Sequence, residues 1–122
     1  MKINLAYGKM GLEWNVPDGY HLDIIEPQWV EGLRDQMGAV RDALRSPIGS
    51  KPLKDLVSRD SNIGIIFSDV TRATPYHIIL PALLKELDQV DPNNIILFCA
   101  TGTHRPAPQD ELETILGKEY AG

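Results

Sequence analysis

The chain has 122 residues, 43% hydrophobic and 24% charged, a length that bounds it to a single globular domain and excludes a two-domain enzyme. Its net charge of −5 repels phosphate backbones, which excludes a general nucleic-acid binder, and no stretch approaches the roughly 20 apolar residues of a membrane span. Residues 1–8 lack a basic segment followed by an apolar one, and the single cysteine, Cys99, makes no internal disulfide, so a soluble, cytoplasmic protein without a disulfide or zinc framework is expected.

In chain order, alternation over residues 2–7 and 12–16, joined by Gly8-Lys9-Met10-Gly11, predicts an N-terminal β-hairpin. A further short strand is expected over residues 20–25. Leu33, Met37, Val40 and Leu44 recur at helical spacing, with Gly38 weakening the middle of that helix and the Pro- and Gly-rich residues 46–52 ending it. A helical turn is expected at residues 53–57.

From Asn62 the character changes. Ile63-Gly64-Ile65-Ile66-Phe67 and Ile95-Ile96-Leu97-Phe98-Cys99 are unalternating apolar runs of strand length, as expected for strands covered on both faces. Between them Ile79, Leu80, Leu83, Leu84, Leu87 and Val90 mark a helix over residues 76–90, in which Pro81 forces either a kink or a late start. Leu112, Ile115 and Leu116 mark a last helix, with Asp110 and Glu111 in its first turn and Gly117 at its end. The order β-α-β-α predicts an α/β fold: a small parallel, Rossmann-like sheet with flanking helices beside the hairpin.

In such sheets ligands bind outside the carboxyl ends of the strands. The first apolar strand runs into Ser68-Asp69-Val70-Thr71-Arg72-Ala73-Thr74-Pro75, where Thr74 reads as an N-cap and Pro75 as the first helical residue. Asp69 and Arg72 then either face the crevice or pair with each other to pin the turn. The second strand runs into Ala100-Thr101-Gly102-Thr103-His104-Arg105-Pro106, which brings a glycine for close backbone approach, hydroxyls, a titratable imidazole and a fixed cation. Asp69, Arg72 and Arg105 leave these loops one positive charge in excess within an acidic chain, which fits a small anion such as a carboxylate or phosphate.

Asp69-Val70-Thr71-Arg72-Ala73-Thr74-Pro75 followed about thirty residues later by Gly102-Thr103-His104-Arg105-Pro106, with Pro47-Ile48-Gly49-Ser50-Lys51-Pro52-Leu53 upstream, resembles the N-terminal region of the nickel-dependent lactate racemase family over nearly the whole chain. The resemblance implies a racemase or epimerase of 2-hydroxy acids that uses a nickel-pincer nucleotide. In the family's scheme that cofactor takes a hydride from the α-carbon, a planar 2-oxo acid forms, and two histidines serve the substrate hydroxyl. His104 matches one of those histidines and Arg72 the arginine that holds the carboxylate; Asp69, Thr71, Gly102 and Arg105 are assigned to the cofactor side of the same pocket.

Family members run to several hundred residues, and the second histidine, the lysine that carries the cofactor and the nickel-ligating histidine lie beyond Gly122. The chain is therefore expected to be the N-terminal, substrate-holding part of a longer enzyme, with the cofactor bound only in the full-length protein and no racemisation by this polypeptide alone. An apolar face left open by the missing part is expected to favour self-association. The competing reading is a non-catalytic anion- or nucleotide-binding module using the same loops; a phosphate-ester hydrolase ranks last, because Asp69 is its lone nucleophile candidate. Cys99 reads as a buried small hydrophobe, His77 as a surface or packing residue, and Trp14 and Trp29 as packing residues.

Overall fold

The computed structural model describes all 122 residues, and they form two compact units, Met1–Glu31 and Gly32–Gly122. In the first unit β1 (Lys2–Leu5) and β2 (Leu12–Asn15) pair antiparallel, with Ile3 opposite Trp14 and Leu5 opposite Leu12. Gly11, at φ +73, donates its N–H to the Tyr7 carbonyl at 2.9 Å and closes the turn, and a Lys2–Glu13 pair at 2.7 Å spans the strands. Residues 20–25 form no strand. Alternation marks which face a strand would bury, yet a strand also needs a ladder partner, and Ile24 and Ile25 are left exposed. Trp29 is likewise exposed, so packing is not its role in this chain.

The second unit holds the α/β fold expected from the sequence. Helix α1 (Gln36–Arg45) begins three residues later than the apolar spacing predicts, because Asp35 caps it: its Oδ1 accepts the Gly38 N–H at 2.8 Å. A 3₁₀ turn at Leu53–Asp55 leads into β3 (Ile63–Ser68), followed by α2 (Tyr76–Glu86), a second 3₁₀ turn at Pro92–Asn94, β4 (Ile95–Ala100) and α3 (Gln109–Leu116). Strands β3 and β4 are parallel, with Ile63 beside Ile95 and Ser68 beside Ala100, so both carboxyl ends lie on one edge of the sheet.

Helix α2 starts at Tyr76 and passes through Pro81 unbroken, so of the two alternatives the late start is excluded. The hydrogen bond that proline forgoes is the one to the carbonyl of His77, an exposed residue. The regular helix ends at Glu86, not at residue 90, because the Leu87 and Val90 N–H groups bond three residues back and tighten the chain into turns. Its N-cap is Pro75 and not Thr74; the Thr74 carbonyl, rather than its hydroxyl, accepts the Tyr76 N–H at 2.8 Å. Gly117, at φ +87, ends α3 in a conformation that glycine adopts without strain.

The core lies on one face of the sheet, where Phe67, Leu80 and Leu116 are buried and Ile65, Leu84, Leu97, Cys99, Leu112 and Tyr120 pack against them. The opposite face is open: Ile66, Ile96 and Phe98 are 74%, 56% and 50% exposed. The expectation of strands covered on both faces therefore fails. Unalternating apolar runs record a sheet that needs two covers, and in this chain only helices α2 and α3 supply one. Helices α1 and α2 are joined at their ends, where Arg45 donates to the buried Glu86 carboxylate, with Nε at 2.9 Å and a terminal nitrogen at 2.8 Å from the same oxygen.

Candidate functional site

The parallel register sets the site. Because Ser68 and Ala100 are neighbours across the sheet, the loops that follow them leave side by side, and a residue just past one strand can reach a residue just past the other. Asp69 does so. Its Oδ2 lies 2.5 Å from His104 Nδ1, a contact between residues 35 positions apart.

The other Asp69 oxygen is held within its own loop. Oδ1 accepts the Thr71 hydroxyl at 2.6 Å and the Thr71 N–H at 3.2 Å, while the Asp69 carbonyl accepts the Arg72 N–H at 3.2 Å. The hydrogen bonds from Thr71 and then from His104 outweigh the penalty of burial and draw the Asp69 carboxyl down to about 2. Asp69 is 7% exposed in a loop whose residues 70–75 are all exposed. An ionised, buried carboxylate can only accept, so the imidazole nitrogen facing it carries the proton, and in the neutral ring Nε2 is left with the free lone pair. The His104 side chain is half exposed, so that lone pair can meet a ligand.

The alternative in which Asp69 and Arg72 pin the turn by pairing side chains is not what the structure contains. Asp69 is occupied by Thr71 and His104, and Arg72 stands exposed on the same turn without a carboxylate partner. Arg105 lies beside His104 in sequence but turns to α3, where its two terminal nitrogens meet the two Glu111 oxygens at 2.6 and 3.3 Å. Glu111 adds a negative charge that a count over the two loops omits, which leaves Arg72 as the uncompensated loop cation. Gly102, at φ +59, has open space where a side chain would stand, so its backbone is approachable.

Two residues that the sequence reading passed over belong to the site's foundation. The Tyr76 hydroxyl accepts the Ser68 N–H at 2.7 Å and lies 2.8 Å from the Ser68 hydroxyl, directly before Asp69. The available signal was a tyrosine immediately after Thr74-Pro75 at a helix start, an apolar ring with a polar tip. Cys99 packs against the core, and burial pushes its thiol pKa up, so it is not an activated nucleophile.

A family model described as the lactate racemase N-terminal domain matches residues 7–122. The chain is 44% identical over 120 residues to the lactate racemase of Lactiplantibacillus plantarum, covering 96% of this chain and 28% of that protein. It is 34% identical over 129 residues to the lactate racemase of Thermoanaerobacterium thermosaccharolyticum, with the same two coverages. The solved structure of the lactate racemase apoprotein from that second organism superposes with a TM-score of 0.80 at 33% identity, over 98% of this chain and 28% of that one. The chain thus spans between a quarter and a third of the length of the relatives it matches.

Proposed function

The chain belongs to the lactate racemase N-terminal domain family, and from that premise we propose that it is the substrate-holding part of a racemase of 2-hydroxy acids, with His104 as one of the groups that serve the substrate hydroxyl. The observation that carries this reading is the 2.5 Å bond between Asp69 and His104. A histidine that must take a proton from a hydroxyl and return it needs one nitrogen held in a fixed tautomer and the other open, and the buried Asp69 carboxylate provides that arrangement. Arg72, on the turn that carries Asp69, would grip the substrate carboxylate through two parallel N–H···O bonds and neutralise it.

The division of labour follows from the chemistry. Racemisation at the α-carbon requires the C–H bond to open and re-form on the other face while the hydroxyl proton is taken up and given back. His104 Nε2 performs the proton step, and the Asp69 carboxylate stabilises the imidazolium that forms. The nickel-pincer nucleotide of the family would supply the hydride acceptor when bound. The residues assigned to it here do not make a metal cradle: Thr71 is bonded to Asp69, Arg105 to Glu111, and no three His, Cys, Asp or Glu side chains gather anywhere in the chain. Of the residues assigned to that side of the pocket, Gly102 offers open backbone to a nucleotide. The polypeptide by itself is expected not to racemise.

The test is a chimera in which this chain replaces the matching segment of the Lactiplantibacillus plantarum lactate racemase, assayed for interconversion of lactate enantiomers. Racemisation that disappears with His104→Ala supports the reading. A chimera whose activity is indifferent to His104→Ala refutes the catalytic role, and anion binding that persists in it would favour a non-catalytic binding module.

A further inference from the structure

The loop that carries Asp69, Thr71 and Arg72 is exposed from residue 70 to residue 75, yet it presents one buried carboxylate with its two oxygens committed to different partners. The hydrogen bonds inside the loop shape its turn. They do not tie it to the sheet. The bond that does so is at its base, where Ser68, the last residue of β3, donates its N–H to the phenol oxygen of Tyr76 at 2.7 Å.

We propose that Tyr76 is a positioning residue for the Asp69–His104 pair: by accepting the Ser68 N–H, its hydroxyl closes the base of the 68–76 loop and holds the Asp69 carboxylate against the imidazole. The phenol oxygen is itself fixed by the core. The Tyr76 ring meets the buried Phe67 ring edge-on, with centroids 5.9 Å apart at 77°, so the oxygen cannot drift without disturbing the sheet's packed face. The order of constraint runs from the core through the Phe67–Tyr76 contact to the Ser68 N–H, and from there by one peptide unit to Asp69. A phenylalanine would fill the same space and leave the Ser68 N–H without its acceptor. The electrostatics agree: burial pushes the phenol's pKa up, but the bonds from the Ser68 hydroxyl and N–H and from Thr74 prevail and draw it down, as for an oxygen built to accept.

This inference rests on reading Asp69 and His104 as a working pair, but its test does not depend on catalysis. In this chain, carbon NMR follows the Asp69 carboxyl through acid titration and nitrogen NMR reports the His104 tautomer. In Tyr76→Phe the Asp69 midpoint should rise by about one pH unit, a tenfold gain in proton affinity, and the Nδ1–H tautomer should lose population. A residue with a merely structural role would lower the unfolding midpoint and leave both signals in place, and that result overturns the proposal. Where Tyr76→Phe yields too little folded protein to titrate, amide hydrogen exchange in the unaltered chain decides: a Ser68 N–H as protected as the amides of the β3 ladder supports the proposal, and one that exchanges like an exposed loop amide overturns it. An Asp69 that already titrates as an ordinary carboxylate in the unaltered chain refutes instead the geometry on which the functional reading stands.

Discussion

The Asp69 carboxylate and the His104 imidazole meet at 2.5 Å across the carboxyl edge of a two-stranded parallel sheet, each from the loop that follows its own strand. Because the carboxylate is ionised and nearly buried, this contact determines which imidazole nitrogen is protonated.

The first prediction concerns that proton. In Asp69→Asn the side chain becomes neutral and can offer either an amide N–H or a carbonyl oxygen, so the Nδ1–H form loses its preferential partner. Nitrogen NMR of the neutral imidazole should show Nδ1–H dominant in the unaltered chain and the Nε2–H form gaining in the variant. An Nδ1–H population equal in the two proteins would mean that Asp69 does not set the tautomer.

The second concerns acid stability. Asp69 falls from its ordinary 3.8 to about 2 on folding, with the bonds from Thr71 and then His104 as the cause. A carboxyl depressed by folding stabilises the folded state fully above its unfolded value and loses that contribution as pH falls through the folded one. Glu86 shifts in the same direction through its bond to Arg45. The melting temperature should therefore fall between about pH 4 and about pH 2, and the fall should be shallower in Asp69→Asn, as thermal unfolding followed by circular dichroism at each pH would show.

The backbone architecture was readable because two five-residue apolar runs, residues 63–67 and 95–99, are too short for helices, and the segments after them repeat their leucines and isoleucines every three or four positions. The pairing of Asp69 with His104 was not. Arg72 offers a nearer and equally plausible partner in sequence, and the choice depends on a strand register that appears only when Ser68 is set beside Ala100. Glu111 reads as a helix-start residue, and nothing in that spacing shows that it pairs with Arg105 six positions earlier. Residues 20–25 show the converse failure, since their alternation describes a strand for which the fold supplies no partner.

The third prediction turns on Gly38. In a helix interior Gly→Ala ordinarily gains about 1 kcal/mol. Here a Cβ at position 38 would stand within 2.1 Å of Asp35 Oδ2, so the capping side chain must swing away. Losing an N-cap bond costs about 1 kcal/mol. Gly38→Ala should therefore leave the urea midpoint nearly unchanged, whereas the same substitution in an Asp35→Ala background should raise it relative to Asp35→Ala alone. Equal gains in both backgrounds would show that the cap and the glycine are independent.

The last prediction concerns the pair between α1 and α2. The Glu86 side chain is 4% exposed and Arg45 50% exposed, so the carboxylate depends on the guanidinium far more than the reverse. Arg45→Leu removes the guanidinium that pairs with Glu86 and leaves an anion that water hardly reaches, whereas Arg45→Leu with Glu86→Leu replaces the pair by apolar contact. The single substitution should lower the urea midpoint more than the double one does. The difference should shrink in acid, where Glu86 in the single variant takes up a proton and no longer needs a counter-charge; equal midpoints at neutral pH would show that water, rather than Arg45, satisfies the carboxylate.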